Sequence, residues 1–189
     1  MQPTEIYHIY NHANGFENLF REHYDYSTFL ERILKYTNPV SDFFAYCLMP
    51  NHFHLLVKIK DTKEIRKTFI KGDPIRYISH AYSKAFNSYA QTYNHRYMRM
   101  GSLFNPNMKT KKVESEIHFC KIVHYIHSNP VHHGFTERME DWKYSSYPGY
   151  LRGKKNWLDS EMVMNSFGNR DLFITYHRQP IGPKVASIY

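Results

Sequence analysis

Two histidines one residue apart carry the clearest chemical potential in this chain. His52 and His54 stand in the run Asn51-His52-Phe53-His54-Leu55, which indicates the start of a strand after a Pro-Asn turn. Side chains alternate between the faces of a strand, so both imidazoles point to one face while Phe53 and Leu55 point to the other. Because neutral imidazole is a common ligand of divalent metals, the pair can hold one ion. The alternative is a solvated strand face that carries two of the chain's 13 histidines.

A second group of interest lies on a predicted helix further along the chain. Ser115 indicates its start, and Asn129-Pro130 or Gly134 its end. At about 100° per residue, Tyr125 and Asn129 share a helix face beside the apolar stripe, at the border with a neighbouring sheet. Packing is the usual role of such a tyrosine in a chain with 17 of them, so its combination with the histidine pair is what suggests chemistry. The stripe that packs the helix on the core has helical spacing: Phe119, Ile122, Val123 and Ile126.

These residues belong to a series of motifs that follow one another between residues 5 and 150. In that order, the series resembles the single-tyrosine HUH transposases, where U is a hydrophobic residue, and especially the REP-associated tyrosine transposase branch. The chain differs from many relatives at His12 and His132, where they carry arginine. The matching motifs are Ile9-Tyr10-Asn11 and the segments 45–57, 101–104, 125–131 and 141–147.

The resemblance implies a reaction and a role for each site residue. Family members cut single-stranded DNA by attack of a tyrosine hydroxyl on the scissile phosphate, which leaves a 5′-phosphotyrosine and a free 3′-hydroxyl; a second attack rejoins strands. Tyr125 matches the nucleophile, His52 and His54 match the metal ligands, and Asn129 matches the position of a third ligand. An amide oxygen suits a hard cation, so the expected cofactor is Mg²⁺ or Mn²⁺. Such a cation can stabilise charge at the phosphate, which a phenol with a pKa near 10 requires.

The composition agrees with a nucleic-acid partner. The net charge of +8 fits binding to a polyanion, and we expect single-stranded or hairpin DNA. The chain has no signal-peptide pattern and no apolar run that could span a bilayer, so we expect a soluble, cytoplasmic protein. Residues 1–150 are expected to form the transposase domain, with 151–189 as a C-terminal extension.

Basic residues in two segments are candidates for the DNA contact. Arg96 and Arg99 alternate with aromatic and sulfur side chains, and Lys109, Lys111 and Lys112 follow shortly after. Cations neutralise phosphates and aromatic rings stack on bases, so either segment can line a strand channel. An ordinary solvated loop is the alternative for both.

The order of predicted elements indicates an α+β fold. An antiparallel sheet with helices packed on it, of the ferredoxin-like or RRM-like kind, fits both this order and the HUH nuclease fold that the resemblance implies. The segment 61–73 is predicted as a loop or a short helix. Strands and helices alternate as β, α, β, β, α, β, α, over residues 5–11, 24–36, 43–49, 52–59, 75–93, 101–113 and the tyrosine helix.

Two functions from different classes fit this sequence. The first is a DNA-cleaving and DNA-joining enzyme. The second is a binding module for hairpin DNA or RNA that kept the fold and lost catalysis. The presence of His52, His54 and Tyr125 together favours the enzyme. The sequence leaves open whether the site lies within one chain or is shared across a homodimer.

Overall fold

A four-stranded antiparallel sheet forms the centre of the fold in the computed structural model, which describes residues 1–68, 72–153 and 157–180. Its strands are β1 (Ile6–His12), β2 (Ser41–Met49), β3 (His52–Ile59) and β4 (Lys109–Lys112). They lie in the order β2-β3-β1-β4, which leaves β4 as an edge strand. The predicted α+β class with an antiparallel sheet is therefore confirmed.

Helices cover both faces of the sheet. On one face Phe29 and Phe86 contact Phe53, with ring centroids 4.9 and 5.3 Å away, whereas on the other face Tyr125 contacts His54. No helix in the described part of the chain is long and apolar enough to cross a membrane. The helices are α1 (His23–Thr37), α2 (Thr62–Thr68), α3 (Pro74–Arg96), α4 (Glu116–His132), α5 (Tyr147–Arg152), α6 (Ser160–Ser166) and α7 (Arg170–His177), with a 3-10 turn at Met139–Asp141.

Helix α4 starts where the sequence predicts but ends later than Asn129-Pro130, the first of its two predicted stops. The Ser115 hydroxyl caps the helix, as expected. The predicted stop at Pro130 is wrong, because Pro130 lies inside α4. A proline cannot donate to the carbonyl four residues earlier, here that of Ile126, but in the last turn this costs a single hydrogen bond. The helix ends at His132, and Gly134 follows with a positive φ of 71°.

The last strand is shorter than the sequence predicts. The prediction covered residues 101–113, but only β4 pairs with β1. Gly101 and Asn107 have φ values of 84° and 62°, which belong to the left-handed region and interrupt an extended strand. Pro106 has no N–H group for a ladder hydrogen bond. Residues 101–108 therefore form an irregular segment ahead of β4.

Two buried histidines tie α7 to α4. The Nδ1–H of His177 donates to the carbonyl of Phe173 at 2.8 Å, so the neutral ring accepts at Nε2 from Nδ1 of His127, also at 2.8 Å. Nε2 of His127 then accepts from the hydroxyl of Ser146 at 2.6 Å. Each ring nitrogen has a partner, so these two imidazoles are satisfied in the neutral form. Part of the predicted C-terminal extension thus packs on the helix that carries Tyr125.

Burial of His177 predicts a loss of stability in acid. Burial lowers the pKa of His177 to about 3 from its ordinary value of 6.5. Between these pH values the unfolded chain binds a proton that the folded chain does not. The free energy of unfolding therefore falls as the pH drops below 6.5, by up to roughly 1.4 kcal/mol per pH unit for this group.

Urea unfolding at several pH values between about 7.5 and 5 measures this slope. We expect His177→Phe to flatten it, although the substitution lowers stability overall. The control is His80→Gln, which removes an exposed histidine and is expected to leave the slope unchanged. Equal slopes for the unsubstituted protein and His177→Phe would contradict the prediction.

Candidate active site

The sheet face towards α4 carries the histidine pair. In the pairing of β1 with β3, Tyr10 lies opposite His54 and His12 lies opposite His52, so these four side chains share one face. The ring centroids of His52 and His54 are 5.1 Å apart, and the His12 ring stacks on His52 at 4.8 Å. The predicted common face of the two histidines is confirmed.

Hydrogen bonds orient both rings of the pair in the same way. Nδ1 of His52 bonds to the amide oxygen of Asn51 at 2.8 Å, and Nδ1 of His54 bonds to Nε2 of His8 at 2.9 Å. Because an amide oxygen only accepts, the proton of His52 is on Nδ1 and the lone pair is on Nε2. Among the described residues, the side-chain hydrogen bonds of His52 and His54 use Nδ1. Nε2 of each ring is therefore the atom that can coordinate an ion.

Both rings are electrically neutral at physiological pH. Burial, together with the smaller effects of the nearby His12 and His133, lowers the pKa of His52 to about 3. Burial also holds the pKa of His54 well below its usual value. A neutral imidazole is the form that binds a metal ion, so no proton has to be displaced first.

Tyr125 and Asn129 reach the same place from α4. The Tyr125 ring lies 5.5 Å from the ring of His54 and 6.1 Å from that of His8, measured between centroids. It is only 6% exposed, so it is more buried than the helix pattern predicted, because the sheet covers it. Asn129 donates its amide N–H to the carbonyl of Tyr125 at 2.8 Å. Its buried amide oxygen lies beside His52, where it favours the protonated ring, yet no hydrogen bond of normal geometry satisfies it within the described residues.

Three tyrosines that follow α4 in the chain, Tyr144, Tyr147 and Tyr150, have structural roles. Tyr150 is buried and donates its hydroxyl to a backbone carbonyl of β2. Tyr147 stacks on His177 at 5.0 Å, and Tyr144 stacks on Tyr26 at 3.5 Å. These contacts hold α5 and its preceding loop on the domain.

His8 is a site residue that sequence reasoning missed. It is fully buried, and its pKa falls to about 3, mainly through burial and then through the charge of Lys111. The signal was present, since His8, Tyr10 and His12 alternate along β1 as His52 and His54 do along β3. Only the register between the two strands shows that these sets face each other.

Two of the three predicted lysines lie on the site face. The pairing of β4 with β1 places Lys109 and Lys111 opposite the β1 residues that face α4. Lys112 alternates to the other face and forms an ion pair with Glu5 at 2.9 Å. The structure therefore brings Lys109 and Lys111, but not Lys112, to the edge of the site.

The two arginines predicted to contact DNA interact with other residues of the protein. All five N–H groups of Arg99 are used, by the carboxylate of Glu17, the amide oxygen of Asn94 and the carbonyls of Gly101 and Ser102. No donor of Arg99 remains for a phosphate, which argues against its predicted DNA contact.

Arg96 is less completely engaged than Arg99. It forms an ion pair with Glu22, and its guanidinium lies 4.5 Å from the centroid of the Tyr24 ring. Its predicted contact with DNA would compete with these two interactions.

Comparisons with known proteins agree with the fold and with the sequence motifs that carry the candidate site. The family described as "Transposase IS200 like" matches residues 6–129, a span that contains the whole sheet and most of α4. A putative REP-associated tyrosine transposase of Haemophilus influenzae (strain Rd) is 24% identical over 153 residues, which cover 78% of this chain and 75% of the relative. A solved structure of a REP-associated tyrosine transposase bound to a REP hairpin superposes with a TM-score of 0.58 at 16% identity, covering 82% and 84% of the two chains.

Fold and site together define an α+β protein whose sheet presents a histidine pair to a tyrosine on a facing helix. The chain belongs to the IS200-like transposase family, since the family match spans more than half of its length. The resemblance that the sequence motifs indicated is thereby confirmed, and the solved relative shows that the fold is shared.

The interactions of Arg99 predict a structural effect of its substitution. We expect Arg99→Lys to lower the free energy of unfolding by about 1–2 kcal/mol, because three donors on a flexible stem replace five in a planar fork. Arg96→Lys, at the more exposed ion pair with Glu22, is the control and is expected to change stability less. Urea unfolding measures both. A variant with unchanged stability but weakened DNA binding would instead support the DNA contact of Arg99.

Proposed function

We propose that the protein cleaves and rejoins single-stranded or hairpin DNA, with Tyr125 as the nucleophile that forms a 5′-phosphotyrosine intermediate. The observation that supports this most directly is the meeting of His52, His54, Tyr125 and the unsatisfied amide oxygen of Asn129 in one chain. Family membership supports the same class of reaction. The similar fold of a transposase bound to a hairpin supports the substrate class.

Tyr125 supplies the attacking oxygen in the proposed reaction, and its ring lies beside that of His54. Its hydroxyl oxygen bonds to the phosphorus and gives up its proton, the bond from phosphorus to the 3′ oxygen breaks, and the 3′ oxygen takes up a proton, so the number of protons is unchanged. The reverse attack by a 3′-hydroxyl releases the tyrosine and joins the strands. The energy of the phosphodiester bond is kept in the protein–DNA link, so no external energy source is needed.

His52, His54 and Asn129 fit a divalent cation such as Mg²⁺ or Mn²⁺. Within the described ranges, no three His, Cys, Asp or Glu side chains form a metal-binding group, and the third donor in this proposal is the amide oxygen of Asn129. Among the described residues, no hydrogen bond of normal geometry reaches that buried oxygen, and a cation would give it a partner. When bound, the cation would polarise the phosphate and neutralise charge that develops on it.

His8 acts as a positioning residue for His54. If Nε2 of His54 binds the cation, its Nδ1 carries the proton and donates to Nε2 of His8. This hydrogen bond sets the tautomer and the orientation of the ligand ring, as outer partners of metal-bound histidines do. His8 is itself fully buried and cannot move away.

The proposed site needs residues of a single chain only. Tyr125 contacts His54 of its own chain, so the nucleophile and the ligands meet without a second copy. Lys109 and Lys111 stand at the edge of the same sheet face, where they would neutralise phosphates of the bound strand. A homodimer is therefore not required for cleavage in this proposal.

The role of Tyr125 predicts a separation of binding from chemistry. We expect Tyr125→Phe to abolish the covalent protein–DNA adduct while it leaves DNA affinity within about twofold, because the ring keeps its packing and loses only the attacking oxygen. The measurement uses labelled palindromes that flank the gene, with adducts scored on denaturing gels. Tyr144→Phe is the matched control, and it is expected to cleave normally. Cleavage by Tyr125→Phe, or a trapped adduct on another tyrosine, would show that the nucleophile lies elsewhere.

The histidine pair predicts a metal affinity that can be measured without DNA. We expect His54→Ala to abolish Mn²⁺ binding in calorimetry, and His8→Phe to weaken it by roughly 10- to 100-fold. His80→Ala, an exposed histidine of α3, is the control and keeps normal affinity. A chelator is expected to stop cleavage. Equal Mn²⁺ binding by the unsubstituted protein and His54→Ala would remove the metal site from the proposal.

A further inference from the structure

A groove lies on the face of the sheet opposite the histidines. It has a volume of about 800 Å³ and runs between α3, the segment 101–108 and the edge formed by β1 and β4. Asn11 and Thr110 line it, and both alternate with residues that face α4. The groove and the candidate active site are therefore separated only by the thickness of the sheet at its β4 edge.

The side chains that line the groove are uncharged. None of its described lining residues is Asp, Glu, Lys, Arg or His. Exposed amides of Asn87 and Gln91 project from α3, and that of Asn105 from the opposite wall. These three side chains make no hydrogen bond to any described residue. Half-buried rings of Phe86 and Phe104 lie between the walls.

This lining suits a nucleobase better than a phosphate. Amide side chains match the donors and acceptors on the edges of bases, and aromatic rings stack on their faces. Among the described lining residues, a phosphate finds no cationic side chain, whereas it finds Lys109 and Lys111 just across the β4 edge. The arrangement separates a surface for bases from a surface for the charged backbone.

The outer wall of the groove is held in place without a ligand. Arg99 binds the carbonyls of Gly101 and Ser102, and Asn94 donates to the Gly101 carbonyl at 2.9 Å. Further along, the Asn11 amide donates to the Asn105 carbonyl at 3.0 Å. A wall fixed in advance reduces the entropy lost when a ligand is bound.

We propose that this groove binds unpaired bases of the DNA strand whose backbone crosses the β4 edge from the active-site face. Because β4 is the edge strand, nothing in the sheet blocks that path. The identity of the ligand rests on the proposed function. The groove adds to that function a second site, which contacts bases. The interactions there depend on base edges, so the groove would contribute to sequence preference.

The test compares DNA with bases to DNA without them. Fluorescence anisotropy measures binding of an oligodeoxythymidine of about twelve nucleotides and of an abasic oligonucleotide of equal charge. All proteins carry Tyr125→Phe, so that cleavage does not interfere. We expect the protein with an intact groove to prefer the base-containing strand by roughly fivefold or more. Asn87→Leu with Gln91→Leu is expected to abolish this preference, because the shape is kept and the amides are lost.

Two controls make the outcome specific to the groove. His80→Leu adds an apolar side chain to α3 outside the groove and is expected to keep the preference. Lys109→Ala with Lys111→Ala is expected to weaken binding of both strands equally. A preference that survives in the Asn87→Leu, Gln91→Leu protein, or is absent with the groove intact, would overturn the inference. Adduct formation is scored separately, with protein that retains Tyr125. The base-preference test can therefore fail while the proposed cleavage function stands, and the reverse.

Discussion

The antiparallel register between β1 and β3 is the constraint on which the site depends. It places His8, Tyr10 and His12 of one strand on the same face as His52 and His54 of the next. A shift of one residue would turn one set to the opposite face and break the hydrogen bond from His54 to His8. Register is strongly specified here, because the other face buries Ile9, Phe53 and Leu55, along with their neighbours, in the core under α1 and α3.

Neutral imidazoles explain how several histidines can be buried on the two sides of α4. A charged histidine would be costly there, but a neutral ring offers one donor and one acceptor that a neighbouring ring or amide can satisfy. The bonds from His54 to His8 and from His127 to His177 use this property on the two sides of α4. One set orients the candidate ligands, and the other fastens the nucleophile's helix to α7.

The two faces of the sheet serve different purposes in this arrangement. The α4 face gathers neutral imidazoles, an amide oxygen and a tyrosine, and the proposed function puts the phosphate there. The α3 face offers uncharged amides and aromatic rings, where the proposed groove would hold bases. The short strand β4 lies between them, and its alternation sends Lys109 and Lys111 to the side where phosphates are expected. The ion pair of Lys112 with Glu5 belongs to the other side.

The sequence alone determined the features that depend on local periodicity. The common face of His52 and His54, the cap at Ser115 and the apolar stripe of α4 follow from spacing within one strand or one helix, and the structure confirms them. The roles of His8, Arg99 and Lys112 were decided by tertiary structure. Their partners lie on other segments, at positions set by strand register and loop packing, and no local pattern encodes these distances. Of the two local stop signals for α4, the helix passes Pro130 and ends at His132, just before Gly134.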